Sequence, residues 1–169
     1  MRAEDYAQLI HDQLGDAWLT QIYRRILKLR TRSYHFEIAR KSNQISIQHT
    51  LLGVELKVGR KRLACPDLAH ARYLAIFARI GSENVAMPYD ITKVSLLADE
   101  LESSWYRMLL LADEAAKSKP KSFKSRLRGI LVNRLREEVA AAGAGAKMPS
   151  FEKHNKGKGK VVKPSQQNK

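Results

Sequence analysis

The sequence is poor in the residue patterns that build covalent or metal-based chemistry. Cys65 is the only cysteine among 169 residues, so the chain cannot form an internal disulfide or a cysteine-based metal cluster. Its five histidines are spread along the chain with no zinc-type pairing. No glycine-rich loop precedes a helix, which excludes a recognisable nucleotide-binding motif. We therefore expect neither a structural metal nor an organic cofactor.

Long apolar runs are also missing. The longest, residues 73–78, is far shorter than the roughly 20 residues that a membrane-spanning helix requires. The first residues alternate polar with apolar side chains and do not resemble a secretory leader. These features, with the lone cysteine, predict a cytoplasmic protein that neither spans nor binds a membrane.

Positive charge is what the chain has in excess. It carries 31 Lys or Arg against 17 Asp or Glu, a net charge of +14. Three blocks concentrate the excess: residues 24–72, residues 117–136 and residues 147–169. Segregated charge of this kind favours a polyanion that releases counterions on binding, and nucleic acid is the commonest such partner. The alternative is that the charge serves solubility alone.

Hydrophobic periodicity predicts a single α+β (or α/β) domain over residues 1–146, followed by a disordered lysine-rich tail over residues 147–169. A small mixed sheet is predicted within residues 34–65 and 85–87. Four helices are predicted to flank the sheet, over residues 4–31, 67–80, 92–115 and 122–141, with a kink in the first helix at Gly15.

The basic segments supply the candidate phosphate contacts. They are Arg24, Arg25, Lys28, Arg30, Arg32, Arg60, Lys61, Arg62, Lys124, Arg126 and Arg128. We expect them to merge into one surface of low sequence specificity, since no helix-turn-helix, zinc finger or RNA-recognition sequence is visible. Tyr23, Tyr34 and Phe36 flank the first group; the pattern favours a core position for Phe36 and leaves Tyr34 open. The sequence does not distinguish DNA from RNA, and it leaves the oligomeric state open.

One pattern points to catalysis instead. Glu55 and Lys57 lie two apart on a predicted strand, so their side chains share a face, where the carboxylate could ligate Mg²⁺ or Mn²⁺ beside a phosphodiester. Glu37 is the best candidate for the second carboxylate, with Glu4 or Asp5 as the alternative. The order helix, three strands, helix, strand and the Glu55-Leu56-Lys57 tripeptide resemble the core of the PD-(D/E)xK nuclease superfamily. That resemblance implies metal-dependent cleavage with Glu37, Glu55 and Lys57 as catalytic residues, although its upstream acidic motif is missing.

Two further interpretations stay open. Glu55 and Lys57 are equally well explained as a solvent-facing ion pair on a strand. The protein could also be a regulatory or scaffold protein that docks a protein or ribonucleoprotein partner. Its docking surface would then be the fourth helix or the acidic side of the third, which carries Asp99, Glu100, Glu102, Asp113 and Glu114.

Overall fold

The computed structural model describes residues 1–36 and 44–145 of the chain. Within them, helices and strands follow one another in an order that confirms the predicted α+β class. The helices are α1 (Ala3–Leu14), α2 (Leu19–Leu27), α3 (Leu68–Ile80), α4 (Ile91–Ala115) and α5 (Lys121–Ala142). The strands are β1 (Thr31–His35), β2 (Ile45–Thr50), β3 (Gly53–Val58), β4 (Lys61–Cys65) and β5 (Asn84–Pro88). The predicted tail and Glu37 lie outside the described residues.

The first predicted helix is divided in two. Gly15 takes a φ of +53°, outside the right-handed helical region, and begins a short 3-10 turn over Gly15–Ala17. The chain is extended at Trp18 and becomes helical again from Leu19. The kink predicted at Gly15 is therefore a break that separates α1 from α2.

The strands form two antiparallel sheets. β2, β3 and β4 make a three-stranded meander in which Ile47, Leu56 and Leu63 are cross-strand neighbours. Leu56 and Val58 are buried on one side of the meander, and α3 packs against β2 and β3. β1 pairs with β5, which lies 49 residues further along the chain at the His35–Asn84 pair.

Helix α3 has the ends that its sequence predicts. The Asp67 carboxylate accepts a hydrogen bond from the His70 backbone amide at 2.8 Å and caps the first turn. Gly81 ends the helix in the left-handed conformation, with a φ of +85°. The next helix, α4, is capped by the Asp90 carboxylate, which accepts a hydrogen bond from the Thr92 backbone amide at 3.0 Å.

Two buried tyrosines hold β5 in place. The Tyr73 hydroxyl donates to the Ala86 carbonyl at 2.6 Å, and the Ala86 amide donates to the Tyr23 oxygen at 3.0 Å. The Tyr23 hydroxyl in turn donates to the Gly143 carbonyl at 2.5 Å. Tyr23 is thus a core residue that ties α2, β5 and the end of α5 together.

Helices α1 and α2 follow α5 in the same direction. Near the start of α5, Arg126 pairs with Glu4; near its end, Glu138 accepts hydrogen bonds from the Trp18 indole at 2.7 Å and the Thr20 hydroxyl at 2.6 Å. None of the helices in the described part of the chain is both long and apolar enough to cross a membrane.

Candidate nucleic-acid interface

The first group of predicted phosphate contacts surrounds the junction between α2 and β1. Ile22, Tyr23 and Ile26 are buried, so the helical period leaves Arg24 and Arg25 on the exposed side of α2. The remaining three cations follow the helix into β1 and are also exposed. They are Lys28, Arg30 and Arg32.

Only two of these five cations have a side-chain partner among the described residues. Arg25 forms an ion pair with Glu100 at 2.8 Å, and the guanidinium of Arg30 lies 5.0 Å from the centre of the Tyr89 ring. Both contacts are at the surface, where an ion pair contributes little and is readily exchanged for a phosphate. The group therefore stays available to an external anion.

The second group lies on the β3–β4 hairpin. Gly59 has a φ of +61° and its amide donates to the carbonyl of Gln44, the residue before β2, at 2.8 Å, which fixes the turn beside the beginning of the meander. Arg60, Lys61 and Arg62 are exposed around that turn. The register also sets Lys57 directly opposite Arg62, so two cations face each other across the strands.

The C-terminal end of β1 brings the first group of cations close to the second. His35 and Phe36, at and just after the end of β1, line a cavity of about 220 Å³ together with Lys61 and Leu63 of β4. Phe36 is buried, as predicted, and the half-buried Tyr34 packs edge-on against it with 5.2 Å between ring centres. Burial raises the pKa of the Tyr34 hydroxyl above its ordinary value. The cations of α2 thus lie at the beginning of β1 and those of the hairpin lie at its end, and the strand between them is about 16 Å long.

We call this set the basic strip. Its nine members are Arg24, Arg25, Lys28, Arg30, Arg32, Lys57, Arg60, Lys61 and Arg62. Within residues 24–36 and 44–66, Glu55 is the one acidic residue that accompanies them.

The third predicted group is not part of the strip. Lys124, Arg126 and Arg128 lie at the beginning of α5, where Arg126 pairs with Glu4 at 3.1 Å. The strip begins near the other end of α5, since Tyr23 hydrogen-bonds to Gly143. Arg126 and Gly143 are seventeen residues apart, which in a helix corresponds to a distance of about 25 Å. The expectation that all three groups merge into one surface is therefore wrong for the α5 group.

The candidate catalytic residues are only partly brought together. Glu55 and Lys57 lie on the same side of β3, as predicted. They form no ion pair within the described structure, and the interpretation of the two residues as a solvent-facing ion pair is therefore wrong. Instead, the Glu55 Oε1 atom is buried and has no hydrogen-bond partner among the described residues. Glu4 and Asp5 lie at the start of α1, where Glu4 faces Arg126 and Asp5 accepts from the Arg2 amide.

Glu37 belongs to residues 37–43, outside the described ranges. Over residues 1–36 and 44–145, no three histidine, cysteine, aspartate or glutamate side chains come together as a metal-binding group. The described part of the chain therefore supplies Glu55 and Lys57 to the nuclease hypothesis, and no second carboxylate.

The acidic side of α4 is largely occupied within the fold. Arg72 of α3 pairs with Asp99 and Glu102, and Arg25 pairs with Glu100. These contacts engage three of the five carboxylates that the sequence offers as a docking surface. Through the less exposed Arg72, the structure gives this side of α4 an internal role in holding α3.

His35 is a residue that the sequence did not single out. The structure places it at the edge of the cavity, with its Nδ1 atom 2.9 Å from the Asn84 amide oxygen. Because Asn84 is 49 residues away in the chain, only the pairing of β1 with β5 reveals this contact. No local signal in the sequence could have found it.

Compared with known protein families, curated proteins and solved structures, the chain shows no match.

Proposed function

We propose that the protein is a cytoplasmic nucleic-acid-binding protein that contacts the phosphate backbone through the basic strip, with low sequence specificity. The observation that carries this proposal is the strand register that sets the two cations Lys57 and Arg62 directly opposite each other on β3 and β4. Like charges directly opposite each other destabilise a sheet, and neither residue forms an ion pair with a carboxylate of the described chain. A bound phosphate would relieve that repulsion.

The composition of the strip supports the same conclusion. Its nine cations face Glu55 and, through the ion pair with Arg25, Glu100; the excess of positive charge creates a local field that attracts polyanions and raises their association rate. Six of the nine are arginines, in residues 24–32 and 60–62, and their guanidinium groups match phosphate geometry with two parallel hydrogen bonds. Contacts of this type position a nucleic acid without reading its bases.

A pair of charge-matched variants tests the proposal. In the first, Arg60, Lys61 and Arg62 of the strip are replaced by serine; in the second, Lys121, Lys124 and Arg128 of α5 are replaced by serine. Each variant loses three positive charges from exposed or half-exposed positions. We expect the strip variant to lose at least about tenfold in affinity for a labelled oligonucleotide, and the α5 variant to lose much less. Equal losses would show that net charge alone drives binding and would contradict the strip.

A second activity, metal-dependent cleavage of the bound strand, is favoured by one observation. The buried Oε1 atom of Glu55 has no partner in the described chain, although it lies beside Lys57 on the strand that runs into the strip. An unpaired buried carboxylate oxygen is costly unless a cation or a donor satisfies it. If Glu55 is a ligand of Mg²⁺ or Mn²⁺, Glu55→Gln will abolish cleavage and leave binding intact. No cleavage by the unaltered protein with either metal would dismiss this activity.

A further inference from the structure

The cavity at the end of β1 combines two kinds of surface. Its volume is about 220 Å³, below the range of roughly 300–1,000 Å³ that is usual for drug-sized ligands. The floor is apolar, and the rim is polar and positively charged. The floor is formed by Phe36, Leu56, Val58 and Leu63, and the rim by His35 and Lys61.

Such a combination fits one nucleotide unit. A nucleobase has apolar faces that stack on aromatic and aliphatic side chains, and its phosphate requires a cation close by. Lys61 supplies the cation from the same side of the sheet as the buried Val58, because the two residues are direct cross-strand neighbours. Arg62, the next residue of β4, also borders the cavity, although the alternation along the strand sets its side chain on the opposite side of the sheet, with Lys57.

His35 is held in position for contact with a base. Its imidazole is exposed, while its Nδ1 atom is hydrogen-bonded to Asn84 at 2.9 Å. The bond restricts the ring's orientation, so less conformational entropy is lost when a ligand stacks on it. Histidine is one of the side chains on which unpaired bases stack.

We infer that this cavity receives an unpaired nucleobase, and that the basic strip therefore prefers single-stranded nucleic acid to a duplex. The inference rests on the proposed function, because the strip must first bind the backbone. In a duplex each base is stacked between its neighbours, and entry into the cavity would first require its removal from the stack. A single strand can present a base without that cost.

Affinities for two ligands test the inference on the full chain. The ligands are a labelled oligothymidylate of about 20 nucleotides and a labelled duplex of equal length, compared at one salt concentration. We expect the single strand to bind more tightly. His35→Ala should weaken single-strand binding by about five- to 150-fold, the loss measured for removing one stacked base, and leave duplex binding unchanged.

Two further variants serve as controls. His35→Phe keeps an aromatic ring and should retain most of the single-strand affinity, whereas His49→Ala removes an exposed histidine of β2 that does not line the cavity and should change nothing. Equal affinity for both ligands, or a His35→Ala effect that is absent or equal for both, would overturn the base site and leave backbone binding standing. If neither ligand binds, the proposed function and the base site both fail.

Discussion

Lys57 and Arg62 lie directly opposite each other on neighbouring antiparallel strands, and neither is neutralised by a carboxylate within the described chain. In an antiparallel pair the Cβ atoms of such residues are about 5 Å apart. The isolated protein therefore bears a repulsion that a bound polyanion would convert into attraction. A substitution that removes the repulsion should consequently raise the stability of the fold and lower its affinity for nucleic acid.

Replacing Arg62 by glutamate should change stability and affinity in these opposite directions. The new carboxylate would face Lys57 as an opposite charge, so the free energy of unfolding in urea should rise by roughly 0.2–1 kcal/mol. Affinity for nucleic acid should fall at the same time, because one phosphate contact becomes repulsive.

Arg60→Glu is the matched control, since Arg60 lies in the turn and has no cross-strand partner in the β3–β4 register. It should weaken binding without the gain in stability. A loss of stability in Arg62→Glu would mean that the Lys57–Arg62 pair is not strained.

Tyr23→Phe should destabilise the fold through its buried hydrogen bonds. The substitution leaves the buried Ala86 amide and the half-buried Gly143 carbonyl without their partner, and an unsatisfied buried group costs about 1–3 kcal/mol. Urea denaturation should show a loss within about that range. Tyr106→Phe, at an exposed position of α4, should have no measurable effect; equal stability of both variants would refute the bridging role of Tyr23.

Glu138 should make part of the stability depend on acid. Burial alone would raise the pKa of this carboxyl, but hydrogen bonds from Thr20, Trp18 and Arg134 outweigh burial and lower the pKa below the ordinary value of 4.5. The folded state therefore favours the charged form. Its stabilising contribution is complete above pH 4.5 and is lost as the pH falls through the lowered pKa.

Glu138→Gln, which lacks this titration, isolates the effect from those of other acids. We expect the variant to be less stable by about 1–2 kcal/mol at neutral pH, and the difference from the unaltered protein to shrink below pH 4.5. Unfolding curves at several pH values measure that difference. A difference that stays constant down to about pH 3 would exclude the coupling.

Two glycines should respond in opposite ways to alanine. Gly15 has a φ of +53°, which strains any residue with a Cβ atom, so Gly15→Ala should cost about 1 kcal/mol. Gly129 lies within α5 with open space around it, so Gly129→Ala should stabilise the protein by roughly 0.5–1 kcal/mol. Thermal unfolding of the two variants checks the signs, and a stabilised Gly15→Ala would contradict the break between α1 and α2.

Local patterns in the sequence were sufficient to predict most elements. The caps at Asp67 and Gly81 and the alternation of β2 and β3 specify structure within a few residues of themselves. The sequence does not predict β4 as a separate strand, because Lys61 and Arg62 at its start resemble a polar loop. Its strand character comes from pairing with β3.

The arrangement of the candidate site depended on contacts that no local pattern contains. The period of α5 identified a basic helix, but not that its first turns lie beside Glu4 and away from the strip. The spacing of Glu55 and Lys57 predicts that their side chains share one side of the strand. It does not predict that the two side chains form no ion pair. These outcomes depend on the packing of helices and strands distant in sequence.

The salt dependence of binding tests backbone contact by the basic strip most directly. If about six to eight of its cations neutralise phosphates of a duplex, a plot of log affinity against log salt should have a slope of about −5 to −7. Affinity should then fall about a thousandfold or more between about 50 and 200 mM salt. Removing the charges of Arg60, Lys61 and Arg62 should reduce the slope by about three. An affinity that does not change with salt, or a slope that these three replacements leave unaltered, would contradict phosphate binding by the strip.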